Sequence, residues 1–376
     1  MEDQKVNKNE SILSFQPFAI LAHGGGARII RRLVENRKSC VIFFSFVDRI
    51  SKSKSQYNEI GYLLFPSQKK WMRWHLKHII HYVRNTVLYR FHKLMIESKV
   101  SKLQFDVLHI VDHGKYSDIL ISWAQSKNIP IWVSFHDHFN TTGSFKYVTK
   151  NLWVAASKRM VISKEMGEHY CHLFGKEKYH IVTDGLTEAE ISPAKIRVDL
   201  PKLKVYFAGL LHVEYYQLLK SFCEALNILA KQEGLYISLI LRGTQKLDFL
   251  DASSIDIDYR GFTIDQDFLK EEMNEADILY LPIKYENEYF YKYSFSTKMV
   301  GYLGAPGNIF YHGPKEAAAA RFLEKNQCGV ICDTMEPARI LEKIKEIIFN
   351  YSYSLAAKNV AYKQFQLKNM QQLFWS

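Results

Sequence analysis

The chain has 376 residues, which at about 150 residues per domain fits two similar domains and excludes a single small module. Hydrophobic residues at 47% and charged residues at 24% are globular values, and no apolar run approaches the roughly 18 to 20 residues that a membrane-spanning helix needs. The net charge of +11 is one-sided, with 28 Lys and Arg against 17 Asp and Glu in residues 1–192 and 22 against 22 in the rest, so the N-terminal half is the one suited to an anionic surface or substrate.

Short apolar runs alternate with longer amphipathic stretches along the whole chain, the pattern of βα units that build parallel sheets. In the first half the pattern predicts strands at Pro17–Ala22, Cys40–Val47, Gly61–Phe65, Asp106–Val111, Pro130–Phe135 and Arg159–Ile162. The stretch Ile191–Leu203 carries two prolines and no periodicity and is expected to be a linker. A second series follows, with strands at Lys204–Ala208, Tyr236–Leu241, Ile255–Tyr259, Asp277–Leu281, Ile309–Tyr311 and Gly329–Cys332, and helices at Tyr215–Lys231 and Pro337–Phe349. The expected fold class is α/β: two Rossmann-like parallel-sheet domains in tandem, whose strand ends face a shared interdomain cleft. The domains are expected at 1–192 and 204–352, joined by a linker at 193–203, with a C-terminal helix at 353–376 crossing back to the first domain. The N-terminal MEDQKVNKNE lacks an apolar leader core, and five cysteines (Cys40, Cys171, Cys223, Cys328, Cys332) are too scattered for a disulfide framework, so a cytoplasmic, reducing location is expected.

Several residues in this frame have the right chemistry for a site. His23-Gly24-Gly25-Gly26-Ala27-Arg28 follows a predicted strand and opens a helix, so its amides could approach an anion. A dinucleotide fingerprint is broken there, because Ile29 stands where a third Gly or Ala is required, although Asp48 lies 22 residues beyond Gly26. A structural tight turn and a substrate-proximal loop remain the other two readings. Asp112-His113 and His136-Asp137-His138 fall at predicted strand ends, where histidine can donate to a sugar hydroxyl or phosphate. No helical or paired spacing supports a metal site from His136, His138 and Asp112, and Asp256-Ile257-Asp258 sits in an alternating strand pattern with its acids facing water. Cys328 and Cys332 are expected to be core thiols. Lys69–Lys99 has eight Lys and Arg, one acid (Glu97) and no Gly or Pro, so it predicts one helix of roughly 45 Å. Its aromatic and cationic interleaving, from Trp71 and Trp74 onward, suits an anionic membrane surface; packing on the sheet is the alternative. Nothing accompanies the charge that would mark a nucleic-acid binder.

The second half carries a more specific pattern: Tyr206-Phe207-Ala208-Gly209-Leu210-Leu211, then Tyr259-Arg260-Gly261-Phe262, then Leu279-Tyr280-Leu281-Pro282, then Ser296-Thr297-Lys298-Met299-Val300-Gly301-Tyr302-Leu303. In order and spacing this resembles the nucleotide-sugar domain of GT-B glycosyltransferases, particularly retaining family four, and the first half resembles the matching acceptor domain. The resemblance implies a donor loop at Gly24, Gly25 and Gly26 and a sugar-contacting His136. It also implies a nucleobase-lining segment at Arg260, Phe262 and Thr263, and a phosphate-side turn at Ser296, Thr297 and Lys298. Two positions that clamp the diphosphate in the family are Leu210 and Tyr215 here, and one of its paired glutamates falls on Glu286 while the other falls on Gly301. Phosphate charge is therefore expected to fall to Lys292, Arg242 or Lys298, and hydroxyl contacts to Glu286 or Glu288. The implied activity is metal-independent sugar transfer from a nucleotide-sugar, with no separate cofactor, to a glycan or lipid-linked glycan in surface polysaccharide synthesis, at the inner membrane face. A catalytically silent homologue acting as a scaffold, or a nucleotide-sugar epimerase or phosphorylase, are the alternatives.

Overall fold

The computed structural model describes residues 11–22, 24–35, 39–47, 58–68, 77–196, 200–209, 211–251, 253–263 and 265–376. The expectations placed on His23, Asp48, Trp71, Trp74 and Leu210 lie outside the described residues. The chain forms two compact units, one of residues 1–184 with 370–376 and one of residues 185–369.

Unit 1 is built on seven strands: β1 (Ile12–Gln16), β2 (Ser39–Val47), β3 (Asn58–Gln68), β4 (Val107–Val111), β5 (Ile131–Phe135), β6 (Lys158–Val161) and β7 (His180–Ile181). They pair in the order β3-β2-β1-β4-β5-β6-β7, and every pairing is parallel. Its helices are α1 (Gly25–Val34), α2 (Lys77–Asn85), α3 (Tyr89–Val100), α4 (Ile121–Ser126), α5 (Phe139–Thr142), α6 (Lys146–Ala155) and α7 (Lys164–Phe174). β1, β4 and β5 are buried along their whole length, as strands covered on both faces must be.

Unit 2 repeats the plan with β8 (Lys202–Ala208), β9 (Tyr236–Arg242), β10 (Asp256–Arg260), β11 (Ile278–Pro282), β12 (Asn308–His312) and β13 (Val330–Cys332). Their order is β10-β9-β8-β11-β12-β13, again all parallel. Its helices are α8 (Tyr216–Glu233), α9 (Gln266–Glu275), α10 (Glu288–Tyr293), α11 (Thr297–Gly304), α12 (Ala318–Lys325), α13 (Pro337–Phe349) and α14 (Ser352–Gln364). One core lies between the sheet and α8 and α13 and includes Phe222, Tyr280, Phe310 and Ile344; the other holds Tyr302, Met299 and Phe365. A final helix, α15 (Leu367–Trp375), begins in unit 2 and enters unit 1 at Met370. There Gln371 Nε2 and Trp375 Nε1 donate to the carbonyls of Arg32 and Leu33 at the end of α1.

Three expectations are corrected. The first strand is Ile12–Gln16, and Pro17–Ala22 is a loop: Pro17 has no N–H to give a ladder, Ala22 N closes a turn on Ala19 O, and Ile20 N donates to Glu59. Residues 185–196 belong with unit 2, because Ser192 N donates to Gly304 O and Lys195 pairs with Asp277. The basic stretch is two helices where it is described, α2 and α3. Thr86 Oγ1 turns back onto Tyr82 O, while the freed carbonyls of Arg84 and Asn85 accept from Tyr116 and Lys115. β7 carries no signal of its own, being two residues long.

Candidate functional site

In unit 2 the site forms where the chain leaves β8. Gly209 has φ +128°, in the region that favours glycine, and a Cβ there would lie 2.9 Å from Lys298 Nζ. Gly209 N donates to Arg242 O, Thr244 Oγ1 donates to Gly209 O at 2.9 Å, and Ala208 N donates to Tyr302 Oη. Lys298 stands at the second position of α11 with its ammonium 4.7 Å from the buried Phe207 ring. Burial lowers this ammonium to about 8, and no carboxylate pairs with it among the described residues. Ser296 is the N-cap of α11, yet its side chain caps nothing, so its hydroxyl and the first amides of the helix stay available.

The other predicted charges of unit 2 are already engaged. Arg242 at the end of β9 is buried and bound through two guanidinium nitrogens to the Glu272 carboxylate, which also accepts from Arg260 Nη1 at 2.5 Å and from Tyr206 Oη. The two arginines hold Glu272 below its usual range against the opposing effect of burial. Arg242 therefore has no unpaired positive charge to offer a phosphate, and Arg260 spends its Nε on Asp258 at 2.7 Å. Lys292 pairs with Glu288 one turn earlier on α10. Glu286 is exposed in the loop after β11 and lies near Tyr215, whose hydroxyl is pushed up to about 12 by burial and by Glu214 and Glu286. Phe262 is 61% exposed beside Gly243, and Thr263 Oγ1 accepts from Asp265 N. At Gly301 a Cβ would meet open space. Glu272 was invisible to pattern reading, since nothing in its spacing marks it; its burial at 4% does.

In unit 1 two predicted features are neighbours. A Cβ on Gly26 would stand 3.2 Å from His136 Nδ1, so the glycine at the second position of α1 is what lets that imidazole approach the helix start. Gly24 is the N-cap with φ +133°, and Gly25 opens the helix. His136 Nδ1 is buried without a hydrogen-bond partner, and burial, with the charge of His113 adding, lowers the ring to about 4, so it is neutral at pH 7. Arg28 is tied to the buried Asp184 at 2.6 Å, which fixes α1. Asp112 is used structurally: its oxygens accept from Ser144 and Thr149, and burial raises it to about 6. His138 caps α5 by accepting from Asn140 N. Among the described residues no group of three His, Cys, Asp or Glu is placed to hold a metal ion.

No family model and no curated protein matches the chain. Solved structures do. A sucrose-phosphate synthase from Thermosynechococcus elongatus superposes with a TM-score of 0.67 at 12% identity over 97% of each chain. The structure titled trehalose-6-phosphate from E. coli bound with UDP-2-fluoro glucose gives 0.65 at 12% over 97% of this chain and 98% of that one. A glycosyltransferase from Rickettsia africae gives 0.64 at 16% over 97% and 96%. The chain has the GT-B fold. In each sheet of this GT-B chain the order reverses once, between β1 and β4 and between β8 and β11. Ligands of open parallel sheets sit at such reversals, beyond the strand ends. The loops leaving β1 and β8 carry Gly24 and Gly209, and Gly25 and Gly26 open the helix that follows the first loop.

Proposed function

We propose that this chain is a glycosyltransferase that moves a sugar from a nucleotide-sugar donor to a glycan or lipid-linked glycan acceptor in surface polysaccharide synthesis. The reading includes metal independence, retention at the anomeric carbon and a cytoplasmic, membrane-peripheral place. The observation that carries it is Lys298: a partly buried ammonium at a helix start, beside a glycine turn, with no carboxylate partner among the described residues. Removing a cation from water is costly unless a counter-charge arrives with the ligand, and a diphosphate supplies one. Similar structures support the donor class, one of them titled as holding UDP-2-fluoro glucose.

On this reading the C1–O bond to the β-phosphate breaks while Lys298, the Ser296 hydroxyl and the α11 amides take up the charge that develops on the leaving diphosphate. The acceptor hydroxyl attacks the same face and passes its proton to a phosphate oxygen, so no carboxylate nucleophile is required. Neutral His136 is assigned to the transferring sugar. Mass spectrometry of products after incubation with a panel of nucleotide sugars is the test. Turnover is expected in the wild type and a fall of about a hundredfold or more in His136→Ala and Lys298→Ala; unchanged turnover in both removes the assignment.

A second reading, a catalytically silent GT-B scaffold, is favoured by the commitment of Arg242 to Glu272 and by Tyr215 and Gly301 at positions where the resembling family has ionic side chains. Calorimetry against UDP, GDP and CMP separates the two, because a scaffold shows no binding at millimolar nucleotide.

A further inference from the structure

We propose that unit 1 docks on an anionic phospholipid surface through a groove between α3, α4 and α6, with a headgroup phosphate held by Lys93 and Lys150. The inference rests on the preceding reading only in placing the acceptor at a membrane. The groove encloses about 510 Å³ and is lined by Tyr89 and Lys93 of α3, Asp118 and Ser122 at the start of α4, and Lys150 and Asn151 of α6. Its acid, Asp118, accepts from Asn151 Nδ2 at 3.0 Å and from Tyr89 Oη at 3.4 Å and feels the charge of Lys93. Lys93 reaches Ser122 Oγ at 2.9 Å and lies 3.8 Å from the Glu97 carboxylate one turn on, and Lys150 has no ion-pair partner among the described residues. Two ammonium groups with amide and hydroxyl donors between them suit a phosphodiester.

What surrounds the groove decides between a lipid and a soluble anion. Exposed apolar side chains are frequent on the segments that frame it: Val154 in its lining, Phe145 and Tyr147 at the start of α6, and Val87, Phe91 and Leu94 just before and along α3. The two flanks are contiguous, because Lys115 Nζ lies 5.1 Å from the Tyr89 ring and 6.0 Å from the Phe145 ring. Arg90 and Lys146 are exposed among these apolar groups. A free phosphate has no use for six exposed apolar side chains, whereas a bilayer takes them at the level of its headgroups. The charge agrees: unit 1 holds 28 Lys and Arg against 15 Asp and Glu, net +13, and unit 2 holds 22 against 24, net −2.

Co-sedimentation with vesicles of phosphatidylcholine alone, and of phosphatidylcholine with one-third phosphatidylglycerol, tests this. The wild type is expected to pellet with the anionic vesicles only. Lys93→Glu with Lys150→Glu is expected to lower the partition coefficient about tenfold or more, and Leu94→Ser with Val154→Ser to lower it as well. Lys176→Glu with Lys178→Glu, the same charge change at exposed sites elsewhere in unit 1, is expected to bind as the wild type. Wild-type binding by the groove variants, an equal loss in the Lys176/Lys178 variant, or no pelleting of the wild type with phosphatidylglycerol overturns the proposal. Nucleotide binding by calorimetry, run on the same proteins, reports on the transferase reading separately, since all of these substitutions lie in unit 1.

Discussion

Lys298 and Gly209 form one device. A Cβ at residue 209 would crowd the end of the lysine that stands over Phe207, and the ammonium is lowered to about 8 because the surroundings that bury it supply no counter-charge. A bound diphosphate would raise that value again. Affinity for a nucleoside diphosphate should therefore be complete below pH 8 and fall as pH rises above it, where the free protein loses the proton that the complex keeps. Titration calorimetry at pH 7 and pH 9 checks this, with Lys298→Arg expected to bind equally at both because guanidinium stays charged. Equal wild-type affinity at the two pH values would exclude the lysine from the phosphates. The strand, turn and helix start that carry Gly209 and Lys298 were legible in the sequence because they follow from local order along the chain. The fate of Arg242 was not, because its partner Glu272 is 30 residues away on another element.

Elements were legible where the pattern was long. α13 and the strands of both sheet centres follow from alternating apolar runs, but β1 slipped by one run, since PFAILA is more apolar than SILSF and only the ladder shows that the latter is the strand. The break between α2 and α3 has neither Gly nor Pro; it is set by side chains from residues 115 and 116 reaching the carbonyls at the end of α2. α11 shows the opposite case, a glycine within a helix where a Cβ would meet nothing within 4 Å. Gly301→Ala should accordingly stabilise the protein by about 0.5–1 kcal/mol, read as a higher urea midpoint at unchanged slope. A lower midpoint would mean that the backbone at 301 needs its freedom.

At the scale of the molecule the buried histidines set the acid limit. Burial lowers His109 and His138 to about 3 and His312 to about 4, so the unfolded chain binds protons that the folded chain refuses as pH falls below 6.5. Asp112, raised to about 6, works in the opposite direction between 6 and its unfolded value. His136, lowered to about 4 in the same way, adds to the histidine side, so the lowered histidines outweigh the raised carboxylate and stability should fall steeply between pH 6.5 and pH 5. Calorimetric melts at pH 7 and pH 5 should show a clearly lower Tm at the acid value; a Tm that holds would mean these rings ionise without unfolding. The two-unit plan was readable in the sequence and a return of the C-terminal helix was expected from it, while the strand order was not, and the contact that anchors residues 370–376 in unit 1, Phe374 and Trp375 against Trp132, joins distant parts of the chain. The central claim is that unit 2 holds a diphosphate on Lys298 and the start of α11. Its most direct measurement is a calorimetric titration of wild type and Lys298→Ala with UDP and GDP at pH 7: binding by the wild type that weakens about tenfold or more in the variant is the predicted result, and equal affinity, or no heat from the wild type at millimolar nucleotide, contradicts it.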